Sequence, residues 1–184
     1  DSCQKIKYMF PKAHAAAYVI SAFRIAWYKV HMPVYFYASW LTSKATDVDV
    51  ETMIKGYDAI KSKIIEIQNK GFDATNKELG VLESLKVCLE ATARGIKFAP
   101  IDLYESKATV WGVRDERTII PPFSSIDGLG DTVAKNLANE KEKGQFISVE
   151  DVQVRCKVSQ TLIDKMKIMG IFDNMPESSQ LSIF

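Results

Sequence analysis

Ile126-Asp127-Gly128-Leu129-Gly130-Asp131-Thr132-Val133-Ala134 is the stretch of sequence that decides the fold. An apolar residue precedes Gly-Leu-Gly and a helix rich in Ala and Lys follows, which is the pattern of a helix-hairpin-helix. Glycine is expected to be required at Gly128 and Gly130, because the turn needs positive φ and a phosphate must approach the backbone without an intervening Cβ. Leu129 is expected to plug the hairpin into its own core.

The amides at the start of the helix after the hairpin are expected to point outward as anion donors, assisted by the positive end of the helix dipole. Thr132 lies in this first turn and Lys135 one turn further on. Such a site would grip the DNA backbone without reading sequence. The alternative for a lone Gly-x-Gly is an ordinary tight turn.

A second, degenerate copy of the motif lies within residues 146–169. Ser148 is expected to cap one helix, Lys157-Val158-Ser159 to form the hairpin and Ser159 to cap the next helix. A plain helix cap is the alternative for Ser159. Paired hairpins can hold the two strands of one minor groove, so the sequence predicts double-stranded DNA as a partner. The expected DNA-binding residues are Gly128, Leu129, Gly130, Thr132, Lys135, Lys157, Ser159 and Thr161.

The rest of the chain predicts a mainly α fold with a small antiparallel β-sheet, an α+β class. Asp49 is a plausible N-cap, Thr75 and Glu78 form a capping box, and Gly71 is a helix stop. Short strands are expected at 98–103, 108–113 and 119–120, with a turn at 115–117. Helices are expected at 15–30, from 33 through 40, at 50–69, from the capping box to Gly95, and at about 132–143, 149–156 and 160–169.

Bulk properties narrow the class of protein. Of 184 residues, 47% are hydrophobic and 26% charged, which is typical of a folded chain. Its 24 basic and 23 acidic side chains nearly cancel, so any nucleic-acid contact must come from local geometry. Cys3, Cys88 and Cys156 show no ligand spacing and are expected to be reduced thiols of a cytoplasmic protein. No apolar run approaches the roughly 20 residues that cross a bilayer, so no membrane partner is expected, and residues 13–41 predict a buried helical region.

Gln180-Leu181-Ser182-Ile183-Phe184 ends the sequence after the polar residues 174–179. Large apolar side chains on such a tail favour a partner pocket that receives them. The alternative is a tail that docks on its own domain.

A third motif, residues 8–18, surrounds the expected start of the first helix. Lys12 and His14 place a cation and a hydrogen-bonding ring beside a helix N-terminus, which suits a triphosphate or a sugar. Tyr8 offers a face for a base. The alternatives are a structural histidine and a tyrosine in the core.

These residues resemble the family C DNA polymerases, and specifically the PolC-type alpha subunit of DNA polymerase III. The resemblance is carried by Pro-Lys-Ala-His-Ala-Ala-Ala-Tyr at 11–18, by Gly-Leu-Gly at 128–130 and by the terminal pentapeptide, and it extends over essentially the whole chain. It implies a DNA-directed DNA polymerase, with Tyr8, Lys12 and His14 lining the pocket of the incoming dNTP. It makes a solvated face the expectation for Lys29.

The resemblance also assigns the last five residues, Gln180, Leu181, Ser182, Ile183 and Phe184, to binding of the sliding clamp, the beta subunit. By it, residues 1–96 form the C-terminal part of the fingers, 97–172 a duplex-binding region with a small sheet and tandem hairpins, and 173–184 a flexible tail. The first residue is expected to be a cut inside a longer protein, and the far end a natural terminus.

The catalytic aspartates of that family lie in a palm upstream of the matching region. Two Mg²⁺ ions would be held there, outside this chain, so no catalytic residue and no metal are expected within it. The rest of the polymerase chain is therefore an expected partner, and this piece is not expected to polymerise alone. One alternative is a non-enzymatic adaptor of DNA repair or recombination with hairpins and a clamp peptide; another is a helical protein-interaction module.

Overall fold

The computed structural model describes residues 11–178. Within this range, five α-helices precede a three-stranded sheet, and three α-helices follow it. None of the helices in the described range is long and apolar enough to cross a membrane. The elements are α1 (Lys12–His31), α2 (Pro33–Lys44), α3 (Val50–Ile54), α4 (Tyr57–Asn69), α5 (Asn76–Ala93), β1 (Lys97–Phe98), β2 (Gly112–Asp115), β3 (Thr118–Ile120), α6 (Asp131–Lys143), α7 (Val149–Cys156) and α8 (Gln160–Ile168).

Helix caps predicted from the sequence are confirmed. The Asp49 carboxylate accepts a hydrogen bond from the Thr52 backbone N–H at 3.0 Å, at the start of α3. Thr75 and Glu78 form a reciprocal capping box, with the Glu78 N–H donating to Thr75 Oγ1 at 3.2 Å and the Thr75 N–H donating to Glu78 Oε2 at 2.9 Å. Each cap satisfies amides that have no partner inside the helix, so these starts are fixed by local chemistry.

The single helix expected at 50–69 is wrong, because the chain breaks into α3 and α4 at Gly56. Gly56 has a φ of +87°, outside the right-handed helical region. Glycine adopts this conformation without the steric cost that a side chain adds. The break lets α3 and α4 each bury their own apolar side chains, including Met53 and Ile60.

The sequence-based expectation of a buried helical region at 13–41 is wrong for its first helix. No residue of α1 is buried, and Phe23, Trp27 and Tyr28 are more than half exposed. By contrast, α2 buries Val34, Tyr37, Ala38 and Leu41. Helical spacing of apolar residues predicts that one face of a helix is covered, but it does not say whether the covering surface lies within residues 11–178.

The sheet is mixed rather than purely antiparallel, which corrects one part of the predicted fold class. Its strand order is β1-β3-β2, with β2 and β3 antiparallel and β1 and β3 parallel. Beyond β1, the Asp102 carboxylate accepts hydrogen bonds from the amides of Tyr104 and Glu105, both at 2.8 Å, and so stabilises a turn. The mainly α fold with a small sheet is otherwise confirmed.

One connected cluster of buried apolar side chains extends from α2 to the residues just after α8. Its first members are Val34 and Tyr37, and its last are Ile171 and Phe172. The Trp111 amide reinforces the link between α2 and β2 by donating to Thr42 Oγ1 at 3.0 Å. The two hairpin segments are thus attached to the same core as the helices that precede the sheet.

Candidate nucleic-acid interface

The first hairpin has the conformation that its glycines permit. Gly128 has a φ of +86°, and both it and Gly130 are exposed. Leu129 between them is buried, which confirms the expectation that it plugs the hairpin into the core. Gly130 has a φ of −74°, so the expected need for positive φ is correct at Gly128 and wrong at Gly130. The turn faces solvent and is open to a ligand.

Gly130 serves as the N-cap of α6. Its carbonyl accepts the first intrahelical hydrogen bond, from Ala134 N–H at 3.1 Å, and no side chain in the described range caps the helix. The three preceding amides, of residues 131–133, therefore have no partner within the helix. A Cβ built at Gly130 would meet no atom within 4 Å, so the surface beside these amides is open.

The second hairpin repeats the backbone path of the first without its glycines. Lys157 has φ and ψ of 56° and 46°, in the left-handed region, although it carries a side chain. Val158 is buried, and Ser159 is the N-cap of α8. Lys157, Val158 and Ser159 therefore match Gly128, Leu129 and Gly130 in order, as a left-handed residue, a buried apolar residue and a helix cap.

The two hairpins differ in the donors that they leave available. Ser159 Oγ accepts the Leu162 N–H at 3.4 Å, so one amide of the α8 N-terminus is already used. The first turn of α6 has no such side-chain cap. The first hairpin consequently presents more backbone N–H groups to an anion than the second does.

The element before the first hairpin is shorter than the motif name implies. Residues Phe123–Ser125 form a single 3₁₀ turn where an α-helix would complete a full helix-hairpin-helix. The Ser125 hydroxyl donates to the Pro122 carbonyl, and the Leu129 N–H donates to the Ile126 carbonyl at 2.9 Å. Pro121 and Pro122 lie immediately upstream, and each disfavours the helical conformation in the residue before it, which opposes a longer helix in this direction.

Cationic and hydroxyl side chains surround both hairpins. Thr132 and Lys135 are exposed on α6, and Lys157, Ser159 and Thr161 are exposed at the second hairpin. The negative Asp131 is also exposed, in the first turn of α6. Backbone amides and lysines together could hold phosphate oxygens, and none of these groups is arranged to distinguish one base from another.

Asp127, directly before the first hairpin, is held by two lysines. Lys77 Nζ on α5 lies 2.5 Å from Asp127 Oδ1, and Lys165 Nζ on α8 lies 3.2 Å from Oδ2. Hydrogen bonds from Lys77 and then Lys165 lower the pKa of the Asp127 carboxyl from its ordinary value. Sequence reasoning missed this cluster, because its members are 50 and 38 residues apart along the chain.

Of the three residues expected to contact the nucleotide, the structure describes Lys12 and His14. Tyr8 lies outside the described residues. Lys12 and His14 are both exposed at the beginning of α1, where the His14 ring meets Tyr18 edge-on at 4.6 Å between centroids. Because α1 has no buried residue, the described part of the chain does not enclose these two side chains in a pocket.

The expectation that Lys29, near the other end of α1, lies on a solvated face is wrong. Its ammonium lies 2.8 Å from Glu90 Oε2 on α5 and 5.4 Å from the centre of the Phe36 ring. The hydrogen bond from Lys29 is the largest cause that lowers the pKa of the Glu90 carboxyl. Burial and the nearby Glu90 charge raise the pKa of Tyr37 to about 12.

The five residues expected to bind the sliding clamp, 180–184, lie outside the described residues. Within residues 11–178 there is no group of three or more His, Cys, Asp or Glu side chains that could hold a metal ion. Asp47 and Asp49 have Asp-x-Asp spacing, and Asp49 is the N-cap of α3 described above.

Arg155 is a further residue that sequence reasoning missed. Its guanidinium donates to the carbonyl oxygens of Glu140 at 2.6 Å and Gly144 at 3.3 Å, at the end of α6. It also lies 4.4 Å from the centre of the Phe146 ring. Carbonyls at the end of a helix have no internal partners, so this contact both caps α6 and fixes it against α7.

Two exposed hairpins, each leading into a helix N-terminus, define a chain of the helix-hairpin-helix class. A family model described as a helix-hairpin-helix motif matches residues 95–181, which include both hairpins.

Comparison with whole proteins identifies the family more closely. The chain is 48% identical over 184 residues to the DNA polymerase III PolC-type of Lactococcus lactis subsp. lactis strain IL1403, and 48% identical to that of Bacillus subtilis strain 168. It is 49% identical to the same protein of Caldanaerobacter subterraneus subsp. tengcongensis. All of this chain is covered each time, but only 11%, 13% and 13% of the respective relatives. The chain belongs to the PolC-type DNA polymerase III family and corresponds to a portion of those longer proteins.

Proposed function

We propose that this chain is the duplex-holding portion of a replicative DNA polymerase, in which the complete protein adds deoxynucleotides to a primer on a DNA template. Its own contribution is to grip the sugar-phosphate backbone of double-stranded DNA through the two hairpins. The observation that carries the proposal is the repeated backbone path of 128–130 and 157–159, which twice places a helix N-terminus at the surface.

A backbone grip without base reading suits a polymerase, because the enzyme must hold every sequence that it copies. With a formal net charge of +1, the chain has no general attraction for polyanions. The binding energy must therefore come from the local amides and from nearby cations such as Lys135 and Lys157. We assign the DNA contacts to the first hairpin primarily, since it offers the larger number of uncapped amides.

The helices before the sheet are proposed to serve the incoming dNTP, as the C-terminal part of the fingers at residues 1–96. Lys12 and His14 stand near the N-terminus of α1, where a triphosphate is favoured by the helix dipole, and Tyr8 precedes them. The remaining walls of such a pocket would come from the rest of the polymerase chain. The Mg²⁺ ions of synthesis are likewise assigned to a palm outside this chain.

The surface of α1 supports that arrangement. Tyr18, Phe23, Trp27 and Val30 are each more than half exposed on a helix without a buried residue. Exposed apolar surface of this extent is typical of a surface that a partner covers. The relatives are about eight times as long as this chain, and we propose that a neighbouring part of the same polymerase packs on α1.

The segment 173–184 is proposed to tether the polymerase to the sliding clamp through Gln180, Leu181, Ser182, Ile183 and Phe184. Its support is the order of residue types, in which a glutamine and three large apolar side chains follow a polar stretch. Tethering raises the effective concentration of the enzyme at the primer end and so its processivity.

The DNA-binding proposal is tested with the 184-residue chain and a fluorescently labelled duplex. We expect affinity that falls with salt and is the same for unrelated sequences, because released counterions follow from phosphate contacts alone. Gly130→Ala should weaken binding about tenfold, the size of one lost charged hydrogen bond of about 1.5 kcal/mol.

Gly130→Ala is informative because the substitution fits the fold. The φ of −74° suits alanine and its Cβ would meet no atom within 4 Å. Thermal stability should therefore change little, because the lower freedom of the unfolded chain offsets the poorer N-cap that alanine makes. Undiminished duplex binding by this folded variant, or no binding by the unaltered chain, would contradict the proposed role of the hairpin.

A further inference from the structure

Three contacts converge on Asp127 at the base of the first hairpin. Lys77 reaches it from α5 and Lys165 from α8, as ion pairs of 2.5 and 3.2 Å. Lys165 Nζ also donates to the backbone carbonyl of Asp127 at 3.0 Å. That carbonyl belongs to the peptide group that leads into Gly128, so a side chain of α8 fixes the orientation of the first peptide of the turn.

We infer that Asp127 is a positioning residue, which holds the Gly128–Gly130 turn at the angle needed to present the α6 N-terminus to phosphate. This inference rests on the proposed function and names a residue that contacts no DNA itself. Its carboxylate ties the hairpin to α5 on one side and to α8 on the other. It thereby links the helices before the sheet to the second hairpin, whose N-cap Ser159 begins α8.

A cleft beneath the hairpin shows why such a tie is needed. Its volume is about 280 Å³, and it separates Ser125 and Ile126 on the hairpin side from Glu78 and Val81 on α5. Ile126 and Leu129 hold the hairpin in the core by apolar packing, but side chains do not fill this cleft. The ion pair between Lys77 and Asp127 borders the cleft and connects its two sides.

The sign of the effect separates positioning from simple electrostatics. Asp127→Ala removes a negative charge beside the proposed phosphate site and frees Lys77 and Lys165 from their ion pairs. If charge alone matters, this variant should bind DNA more tightly. Loss of positioning should weaken binding. Asp131 offers a matched control, since it is an exposed carboxylate four residues away, in the first turn of α6, and takes part in no ion pair within residues 11–178.

The experiment compares Asp127→Ala, Asp127→Glu and Asp131→Ala in the 184-residue chain, by duplex affinity at about 50 mM salt and by amide hydrogen exchange. We expect Asp127→Ala to weaken binding about threefold, a size appropriate to exposed ion pairs, and Asp131→Ala to leave binding equal or tighter. Asp127→Glu, which keeps the charge, should recover part of the loss. Tighter or equal binding by a folded Asp127→Ala chain would overturn the inference.

Hydrogen exchange keeps this test independent of the proposed function. The Leu129 and Ala134 amides are hydrogen-bonded within the hairpin and the first turn of α6, at 2.9 and 3.1 Å. Faster exchange at both in Asp127→Ala, and not in Asp131→Ala, supports positioning whether or not the chain binds DNA. Unchanged exchange overturns it. A chain that binds no duplex but shows the expected exchange would refute only the proposed function.

Discussion

Exchange of residue types between the two hairpins is expected to change stability in opposite directions. Lys157 holds a left-handed conformation that costs roughly 1–2 kcal/mol for a residue with a side chain. Glycine removes that cost but loses roughly 0.5–1 kcal/mol through the greater freedom of the unfolded chain. Lys157→Gly should therefore stabilise the protein by about 0.5–1 kcal/mol, and Gly128→Ala should destabilise it by a similar amount.

The stability that Gly128→Ala is expected to lose does not come from a steric clash. A Cβ built there would lie 3.9 Å from Leu162 Cδ2, an ordinary van der Waals contact, so the cost of Gly128→Ala comes from its φ of +86°. Lys157→Ala serves as the control for the lost charge, because it keeps a side chain in the left-handed region. The difference between Lys157→Gly and Lys157→Ala then isolates the backbone contribution.

Thermal unfolding followed by circular dichroism measures these differences. For a chain of this length about 1 kcal/mol corresponds to a Tm shift of about 2–4 °C, which is readily resolved. Lys157→Gly should at the same time bind duplex DNA more weakly, since it removes a cation that we propose contacts phosphate. A Tm for Lys157→Gly equal to or below that of Lys157→Ala would show that the two hairpins do not share a backbone conformation.

Two further predictions concern the α5 cap and the terminal peptide. Hydrogen bonds from Lys70 and from the Thr75 amide lower the pKa of Glu78 to about 2; this stabilisation is complete above the ordinary glutamate pKa and is lost as pH falls from about 5 towards 2. Acid titration of unfolding should therefore show a smaller loss in Glu78→Gln than in the unaltered chain, and equal losses would contradict the role of the cap. Removal of residues 180–184 should abolish capture by the immobilised sliding clamp with duplex affinity unchanged, and retained capture would refute the clamp assignment.

Local chemistry made much of this structure predictable. The capping box at Thr75 and Glu78, the N-cap at Asp49 and the turn at Gly128 each depend on residues within a few positions of one another. The second hairpin was predictable from the helix caps Ser148 and Ser159, although its left-handed lysine carries no signal comparable to a glycine. Interactions of this kind are encoded by a short segment of sequence, whatever the rest of the chain packs against.

Features that depend on distant residues were not predictable. Lys29 pairs with Glu90 across 61 positions, and nothing in the neighbourhood of Lys29 distinguishes it from a solvated lysine. Asp127 is connected to Lys77 and Lys165 in the same way. The break at Gly56 was also missed, because a helical apolar pattern continues on both sides of it. Periodicity identifies helices but does not measure their continuity or their surroundings.

Because α1 is long, a small change in its angle at the Lys29–Glu90 ion pair moves its N-terminus by a large distance. Lys12 and Lys29 are 17 positions apart, or about 25 Å along a helix axis that rises 1.5 Å per residue. A tilt of only about 10° at the Lys29–Glu90 end would sweep the tip through about 4 Å, more than the length of a hydrogen bond. Precise placement of Lys12 and His14 against the proposed triphosphate would therefore require a second contact near the N-terminus of α1, in addition to the Lys29–Glu90 ion pair.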